Sequence, residues 1–376
     1  MVKHMAKAIA CKTYYINIAA HKKYPIVVGV TATLDTGDLG AAQRVLIVTN
    51  PTVLNACDGI IESMKQRWGR LVDVVTIDDS ESAKTIDTVQ MLITACLEHG
   101  LGRHDCLVAL GGGVVGDITG FVAAIYLRGI AFFQMPTSLL AQVDAAMGGK
   151  TGVNHPRGKN LIGAFHQPKK TVINPQVLAT LPPYHMAEGL FEIIKYGIIR
   201  DKPLFWYLES HIAAIRSFSY TDCPDVWHVL IEKSIQNKAD VVSNDEKEAG
   251  DRETLNFGHT IGHALETLGG YGLLSHGRAV AWGMLIEATI ALQLRVLPPT
   301  EYQRIQALIQ AFNTDPFPPI TIDETAFFNA LSVDKKVREG QVRYVVPTGI
   351  GHTTIVQDVD RSAVMTAVKT VIGELI

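Results

Sequence analysis

Short apolar runs alternate with helical patterns through the first half of the chain. Runs at 44–49, 72–77, 106–110 and 131–135 have the length and composition of buried strands. An amphipathic helical pattern covers 85–98. Because strands that alternate with helices form parallel sheets covered on both faces, this half predicts an α/β domain with a Rossmann-like parallel sheet.

The pattern changes near residue 181, after which long helical patterns dominate. They cover 186–199, 225–242, 259–268, 279–297 and 300–312. Short strand patterns return at 342–347 and 353–356. The organisation predicts two domains, an α/β domain over 1–180 and a mainly α-helical domain over 181–376.

The composition is typical of a well-packed enzyme, since 47% of the 376 residues are hydrophobic and 19% are charged. A net charge of −3 gives no general attraction to nucleic acid or to an anionic membrane. The five cysteines form no C-x-x-C pair, so a reducing cytoplasm is the expected compartment. Glu287, Gln293 and Arg295 interrupt the most apolar stretch, which predicts a buried helix rather than a membrane span.

A glycine-rich turn follows the third predicted strand. Residues 111–117 read G-G-G-V-V-G-D and open a predicted helix over 118–128. Glycines let backbone amides approach a diphosphate, and a helix N-terminus favours its negative charge. A tight strand–helix turn without a ligand is the alternative, because no acidic residue follows about 20 positions later.

Histidines at helical spacing indicate a metal site. His259 and His263 lie four residues apart on one predicted helix, so their rings project from the same face. His276 follows a predicted turn, and Glu192 lies on another helix, one turn before Lys195. Three or four such ligands suit zinc with an open coordination position. Spacing alone assigns both His259 and His263 to the metal, and histidines bonded to neighbours at a domain interface are the alternative.

Several cationic and polar side chains suit a bound anion. A segment that reads G-G-K-T-G-V-N-H-P-R-G-K-N predicts a rigid loop that presents Lys150, Lys159 and Asn160. Lys238 and Arg252 flank a charged turn further along the chain. Asp144 lies among apolar residues, where a carboxylate usually has a specific partner.

Together these segments resemble the 3-dehydroquinate synthase family over nearly the whole chain, most strongly over 107–266. The resemblance is carried by G-G-G-V-V-G-D (111–117), Y-L-R-G (126–129), the run from P-T-S-L to I-G-A-F (136–165), E-I-I-K-Y-G (192–197), R-E-T-L-N-F-G-H-T-I-G-H-A-L-E (252–266), H-G-R-A-V-A (276–281) and D-K-K (334–336). It implies a dehydroquinate synthase-like fold, in which an NAD-binding α/β domain precedes a helical metal-binding domain.

The resemblance also implies roles for the polar residues. It assigns zinc, with cobalt as a possible substitute, to Glu192, His259 and His276, and it moves His263 to the substrate phosphate. The implied phosphate site also contains Lys150, Asn160, Asn256 and an Arg128 from a neighbouring subunit. The implied carboxylate site contains Lys238, Arg252 and either Lys335 or Lys336. Asp144 and Lys195 would hold the ring hydroxyls.

The implied NAD site is spread over the first domain. It comprises Asn50, Asp79, Glu81, Lys84, Gly113, Val114, Val115, Gly116, Asp117, Thr137, Ser138, Lys150, Lys159 and Thr180. The usual D-G-E-x-Y-K segment of the family reads D-S-E-S-A-K at 79–84, without the glycine and the aromatic residue. Arg278 stands where the family usually has glutamate.

The implied activity is that of a carbon–oxygen lyase. It would convert 3-deoxy-D-arabino-heptulosonate 7-phosphate into 3-dehydroquinate and phosphate, in the shikimate pathway to chorismate and aromatic amino acids. The alternatives are a sister cyclase that uses sedoheptulose 7-phosphate and a metal-dependent polyol dehydrogenase. Lys238, Arg252 and Asn256 together favour the carboxylated substrate, because unpaired buried cations are costly. A cytoplasmic homodimer without nucleic-acid or membrane partners is expected.

Overall fold

The computed structural model describes residues 11–18, 22–156, 158–248, 250–270, 273–313, 315–333 and 342–373. The chain forms two compact units. Unit 1 comprises 1–185 and 238–247, and unit 2 comprises 186–237 and 248–376. Among the described residues, no helix has both the length and the apolar character needed to cross a membrane.

Unit 1 contains a mixed sheet and a separate hairpin. Its strands are β1 (Lys12–Ile18), β2 (Lys22–Val28), β3 (Arg44–Thr49), β4 (Leu71–Thr76), β5 (Cys106–Gly111), β6 (Ala131–Pro136), β7 (Lys150–His155), β8 (Gly158–Phe165) and β9 (Lys170–Ile173). Within the described residues the main sheet has the order β1-β2-β9-β6-β5-β3-β4. Only β1 and β2 pair antiparallel in it, and its other described pairs are parallel.

Helices cover both faces of this sheet. They are α1 (Pro51–Ala56), α2 (Asp58–Trp68), α3 (Ile86–Glu98) and α4 (Gly113–Ile125). Val45 and Ile47 of β3 pack in one apolar cluster with Trp68, whereas Leu46 and Val48 pack in another with residues of α3 and α4. Because successive side chains of a strand point to opposite faces, a continuous apolar run is what a strand buried on both sides requires.

Most predicted elements of this half are confirmed. The four predicted strands are β3, β4, β5 and β6, and the predicted helix over 85–98 is α3. The helix predicted over 118–128 was wrong at both ends, because the glycine-rich turn itself forms the first turn of α4. Helix α4 ends at Ile125, and Leu127 and Arg128 then adopt positive φ angles of 49° and 67°.

The glycine-rich segment after Met147 was predicted as a loop, and this prediction was wrong. It forms an antiparallel hairpin of β7 and β8. A Cβ atom on Gly152 would overlap the Ile162 carbonyl oxygen, and one on Gly163 would overlap that of Thr151. These glycines therefore allow the two strands to approach closely, which is a known role of glycine inside strands.

The second half of the chain is mainly helical, as predicted. Its elements are α5 (Pro183–Ile199), α6 (Lys202–Ser210), α7 (Ile212–Ile215), α8 (Pro224–Asn244), α9 (His259–Leu268), α10 (His276–Gln293), α11 (Pro299–Phe312), α12 (Glu324–Val333), α13 (Arg361–Ile372) and the hairpin of β10 (Tyr344–Gly349) with β11 (His352–Val356). Helix α10 begins one turn earlier than the predicted stretch and is largely buried, as expected. The residues of α8 from Lys238 onward belong to unit 1.

Close packing of α9 on α10 shapes the core of unit 2. A Cβ atom on Gly283 would overlap the Gly258 carbonyl oxygen, and one on Gly262 would lie 3.0 Å from the Ala279 carbonyl oxygen. Gly258 itself has a φ of 79°, which disfavours any other residue. These glycines let the start of α9 pack closely on the first half of α10, and both helices begin with a histidine.

Candidate active site

The glycine-rich turn joins β5 to α4 in unit 1. A Cβ atom on Gly111 would lie 2.7 Å from the Val115 side chain, and one on Gly116 would lie 2.9 Å from Gln134. These two glycines are therefore required by the packing of α4. At 112–113 an added Cβ would make only ordinary contacts. The backbone there is half-buried, so the N–H groups of the first helical turn are accessible to an anion.

Expected NAD-binding residues follow the carboxyl ends of three neighbouring parallel strands. Asn50 follows β3, Gly113 lies two residues after β5, and Thr137 follows β6. Ligands of open α/β sheets bind outside this edge. Asn50 also has a structural role, because its Oδ1 accepts a hydrogen bond from the Val53 backbone at 2.7 Å and so caps α1.

A polar network surrounds Lys84, which is 4% exposed. Its Nζ lies 2.8 Å from Asp117 Oδ2 and 2.5 Å from Asn160 Oδ1. Asn154 extends this network, because its Nδ2 donates to Glu81 Oε1 at 2.8 Å and its Oδ1 accepts from the Asn160 backbone at 2.8 Å. Burial lowers the pKa of Lys84, but the carboxylates of Asp117 and Glu81 outweigh it, and the net shift is upward.

Asp144 and Lys238 form a second polar pair in unit 1. Lys238 Nζ donates to Asp144 Oδ1 at 2.6 Å, and the Lys238 side chain is only 8% exposed. Asp144 lies in a single turn of π-helix, Ala141–Ala145. The sequence predicted a specific partner for this carboxylate among its apolar neighbours, and the structure confirms that it has one.

The remaining expected residues of unit 1 lie at or near the surface. Arg128, Lys150, Thr180 and Asp79 are exposed, and Lys159 and Ser138 are half-buried. Asn160 has a φ of 53° and Arg128 has a φ of 67°. Such left-handed backbone is uncommon outside glycine and is found disproportionately at functional sites.

Unit 2 brings a carboxylate and two imidazoles together. One ligand atom from each of Glu192, His259 and His276 lies within 4.8 Å of the others. Glu192 Oε1 is 3.5 Å from His259 Nε2 and 4.0 Å from His276 Nε2. Helix α5 supplies the glutamate, while α9 and α10 each supply a histidine as their first residue.

The second nitrogen of each ring has its own partner. His259 Nδ1 lies 3.2 Å from the Phe257 carbonyl oxygen, and His276 Nδ1 lies 3.6 Å from Glu266 Oε2. A proton on Nδ1 leaves Nε2 of each ring as the metal-binding atom on the side of Glu192. Burial lowers the pKa of His276. The hydrogen bond to Glu266 and the charges of Glu266 and Glu192 raise it by more, so the pKa of His276 lies above its usual value.

A second set of possible ligands overlaps the first. His263, Glu266 and His276 also offer atoms that lie within 4.8 Å of one another. The His263 ring centre is 5.6 Å from that of His259 and 6.0 Å from that of His276. Spacing on α9 therefore places both of its histidines at the cluster, and the choice between them depends on the orientation of the rings.

Other expected substrate residues lie close in sequence to the residues of this cluster. Lys195 Nζ donates a hydrogen bond to Glu192 Oε2. Arg252 is almost fully buried in a 3-10 turn, Asp251–Asn256. The Asn256 Nδ2 lies 3.3 Å from Glu248 Oε1.

The expected carboxylate-binding residues belong to different parts of the structure. Arg252 is in unit 2, whereas Lys238 is in unit 1. Lys335 and Lys336 lie outside the described residues.

The ligand cluster fits a divalent zinc ion. Glu192 Oε1 is buried and has no hydrogen-bond partner among the described residues, although a buried carboxylate oxygen normally has one. One carboxylate and two imidazoles are a typical ligand set of catalytic zinc, which keeps a further position open. The accessible backbone of the glycine-rich turn likewise fits a dinucleotide diphosphate.

Comparison with known proteins decides the family. The family model described as 3-dehydroquinate synthase N-terminal matches residues 74–188, and its C-terminal counterpart matches residues 189–337. The chain belongs to the 3-dehydroquinate synthase family. Its similarity to 3-dehydroquinate synthase of Synechococcus sp. is 48% identity over 87% of this chain and 88% of the relative. The corresponding enzyme of Halorhodospira halophila is 43% identical over 92% of this chain and 95% of its own.

Solved structures share the fold of this chain. The 2-epi-5-epi-valiolone synthase ValA of Streptomyces hygroscopicus, with NAD+ and Zn2+ bound, is 27% identical and superposes with a TM-score of 0.84. The alignment covers 95% of this chain and 99% of ValA. A 2-deoxy-scyllo-inosose synthase shares the fold, with a TM-score of 0.83, 24% identity, and coverage of 96% of this chain and 99% of its own. The predicted fold class is therefore confirmed.

Two residues of the candidate site were not predicted from the sequence. Asn154 joins the Lys84 network, and Glu266 contacts His276. Asn154 lies in the segment first interpreted as a loop, where asparagine reads as a turn residue. Glu266 follows His263 by three residues on α9, so helical spacing could have placed both side chains on one face.

Proposed function

We propose that the chain is a 3-dehydroquinate synthase, a carbon–oxygen lyase of the shikimate pathway. It converts 3-deoxy-D-arabino-heptulosonate 7-phosphate into 3-dehydroquinate and inorganic phosphate. The observation that carries this proposal is the convergence of Glu192, His259 and His276 in a chain that matches both halves of the family.

The residues over 1–180 form the NAD-binding domain in this proposal. NAD supplies a hydride acceptor that is regenerated within each turnover. The N–H groups around Gly113 and Val114 bind the diphosphate, because the first turn of α4 has donors that the helix itself does not use. Gly116 and Val115 keep α4 against the sheet, and Asp117 is held by Lys84.

The rest of the implied NAD contacts lie around this turn. The Ser138 hydroxyl lies beside Gly112, the Thr137 backbone donates to the Gly111 carbonyl oxygen, and Lys159 supplies positive charge. Asn50, Asp79, Glu81, Lys150 and Thr180 complete the proposed contact set.

The residues over 181–376 form the metal-binding domain. Glu192, His259 and His276 would hold zinc, or cobalt in its place. The bound ion would supply a Lewis acid that polarises a secondary hydroxyl and lowers its pKa. Lys195 Nζ donates to Glu192, and in this proposal it also donates a hydrogen bond to a substrate hydroxyl beside the ion.

Charged and polar side chains bind the carboxylate, a ring hydroxyl and the phosphate of the substrate in this proposal. Arg252 and Lys238 bind the carboxylate, with Lys336 as a third candidate, and Asp144 accepts a hydrogen bond from a ring hydroxyl. The phosphate is held by Lys150, Asn160, Asn256 and His263. Arg128 is exposed on a left-handed turn, and we propose that it completes the phosphate site of a second subunit in a cytoplasmic homodimer.

Phosphate release tests this function. Purified protein is incubated with 3-deoxy-D-arabino-heptulosonate 7-phosphate, with sedoheptulose 7-phosphate or with glycerol, each with and without NAD and a chelator. We expect phosphate to be released from the first substrate. This release should require both NAD and metal, and no net NADH should accumulate. Release from sedoheptulose 7-phosphate alone would move the chain to a sister cyclase, and net NADH from glycerol would indicate a polyol dehydrogenase. Native mass measurement tests the homodimer.

A further inference from the structure

The helices that carry the two proposed histidine ligands both begin at the ligand itself. His259 is the first residue of α9, and His276 is the first residue of α10. The place of each ring therefore depends on how the first turn of its helix is held. Neither N-cap residue provides a side-chain cap, because Gly258 has no side chain and Ser275 makes no cap hydrogen bond.

Glu188 of α5 holds the first turn of α10 instead. Its Oε2 accepts a hydrogen bond from the Gly277 backbone at 2.7 Å, and its Oε1 accepts one from Ser275 Oγ at 2.5 Å. A Cβ atom on Gly277 would lie 2.7 Å from Glu188 Cα, so the two helices approach at backbone distance. Glu188 precedes Glu192 by four residues, which puts the anchor and the ligand on one face of α5.

Glu287 of α10 holds the first turn of α9 in the same way. This carboxylate is fully buried, and its Oε2 accepts a hydrogen bond from the Gly258 backbone at 2.6 Å. Its Oε1 lies 3.5 Å from the Ile261 backbone nitrogen. A carboxylate is favoured at a helix N-terminus, and hydrogen bonds to a charged acceptor are stronger than neutral ones. Helix α5 thus holds α10, and α10 holds α9.

We infer that Glu188 and Glu287 are positioning residues of the metal site, which set His276 and His259 in place over Glu192. The inference rests on the metal-ligand set proposed above. Neither carboxylate belongs to a ligand group formed by the described residues, and each is hydrogen-bonded to the start of a helix that carries a proposed ligand. Loss of groups that orient metal ligands typically weakens metal binding by about 10- to 100-fold.

Zinc affinity of the metal-free protein tests this inference. Glu188→Ala, Glu188→Gln and Glu287→Gln are prepared without metal, and zinc binding is measured by competition with a chromogenic chelator. We expect Glu188→Ala to weaken binding about 10-fold. Glu188→Gln keeps one acceptor oxygen and should recover most of that affinity. Glu287→Gln keeps the shape of a buried side chain and should weaken binding several-fold.

A matched control separates positioning from general stability. Glu301 is half-buried like Glu188, and its Oε2 also accepts a backbone hydrogen bond, at 2.5 Å from Ile350 in the turn between β10 and β11. Glu301→Ala should lower the urea midpoint of the metal-free protein without changing its zinc affinity. The absorption spectrum of cobalt-loaded protein should change in Glu188→Ala and stay as in wild type in Glu301→Ala.

Three outcomes decide the matter. Wild-type zinc affinity and cobalt spectrum in Glu188→Ala, beside a His276→Ala variant that loses zinc, would overturn the Glu188 role and leave the ligand set intact. Wild-type affinity in Glu287→Gln would overturn the role of Glu287. Retention of zinc by His276→Ala would overturn the proposed ligand set and this inference with it.

Discussion

The ammonium group of Lys84 lies 2.8 Å from a carboxylate oxygen of Asp117, and Lys84 is only 4% exposed. The pair links the 79–84 segment to the helix of the glycine-rich turn. That segment lacks the glycine and aromatic residue usual in the family, yet it retains the lysine that makes this link. The substitutions therefore leave the main anchor of the segment in place.

Lys84→Met should destabilise unit 1 and weaken NAD binding. The variant leaves Asp117 largely buried without its cation, and breaking a buried pair in this way costs about 3 kcal/mol of unfolding free energy. Urea unfolding and calorimetric titration with NAD measure the two effects. Lys65→Met is the control, because Lys65 pairs with Glu62 at the surface, where the loss should stay below about 1 kcal/mol. An unchanged NAD affinity in Lys84→Met would contradict the proposed cofactor site.

His259→Ala and His263→Ala should fail in different ways. The first removes an Nε2 that lies 3.5 Å from Glu192, so the purified protein should lose its bound zinc and its activity. The second should keep zinc near one ion per chain while the rate falls, because it removes a proposed phosphate contact. Metal content and phosphate release are measured on the same samples. Zinc loss in His263→Ala with retention in His259→Ala would favour the overlapping ligand set of His263, Glu266 and His276.

Local patterns were sufficient for the elements with the strongest periodicity. Strand β3 was predicted at its observed bounds, because an unbroken apolar run has few other structures available to it. The β7–β8 hairpin was missed because glycine suggests a loop. Glycine is needed here because the backbone of the neighbouring strand leaves no room for a side chain. Strand β1, whose side chains are largely exposed, is defined by its pairing with β2 rather than by a buried pattern of its own.

The candidate site shows the same division. Spacing on α9 placed His259 and His263 on one face, but it contains no information on which ring nitrogen is already used. The Phe257 carbonyl and Glu266 supply that information, and only the folded chain brings Glu266 to His276. The anchors Glu188 and Glu287 act on helices that are distant in sequence, at separations of 89 and 29 residues, so no local motif marks them.

Asp105→Asn should lower stability in a pH-dependent way. Asp105 accepts backbone hydrogen bonds from Gln43, Arg44 and Gly102 at 2.8, 2.8 and 2.7 Å. Burial raises the pKa of Asp105, but these hydrogen bonds outweigh it, so the pKa lies below the usual value of 3.8. A depressed pKa in the folded state stabilises the protein above the unfolded value and ceases to do so as pH falls through the folded value.

We therefore expect Asp105→Asn to lose about 2 kcal/mol at neutral pH, since hydrogen bonds to a charged group are replaced. The difference from wild type should narrow as the pH falls below about 4. Urea unfolding at neutral and acidic pH measures it. A difference that stays constant over this range would show that the charge of Asp105 does not contribute.

Gly283→Ala should destabilise unit 2 and weaken zinc binding together. An added methyl group would overlap the Gly258 carbonyl oxygen, so α9 and α10 must separate, which typically costs about 1–3 kcal/mol. That separation moves His259 relative to His276. Gly59→Ala is the control, because Gly59 lies in the first turn of α2 with nothing within 4 Å of an added Cβ, so alanine should not destabilise that helix. Urea unfolding and zinc competition on both metal-free variants measure the contrast. Wild-type zinc affinity in a destabilised Gly283→Ala would mean that the spacing of the two helices does not set the ligand geometry.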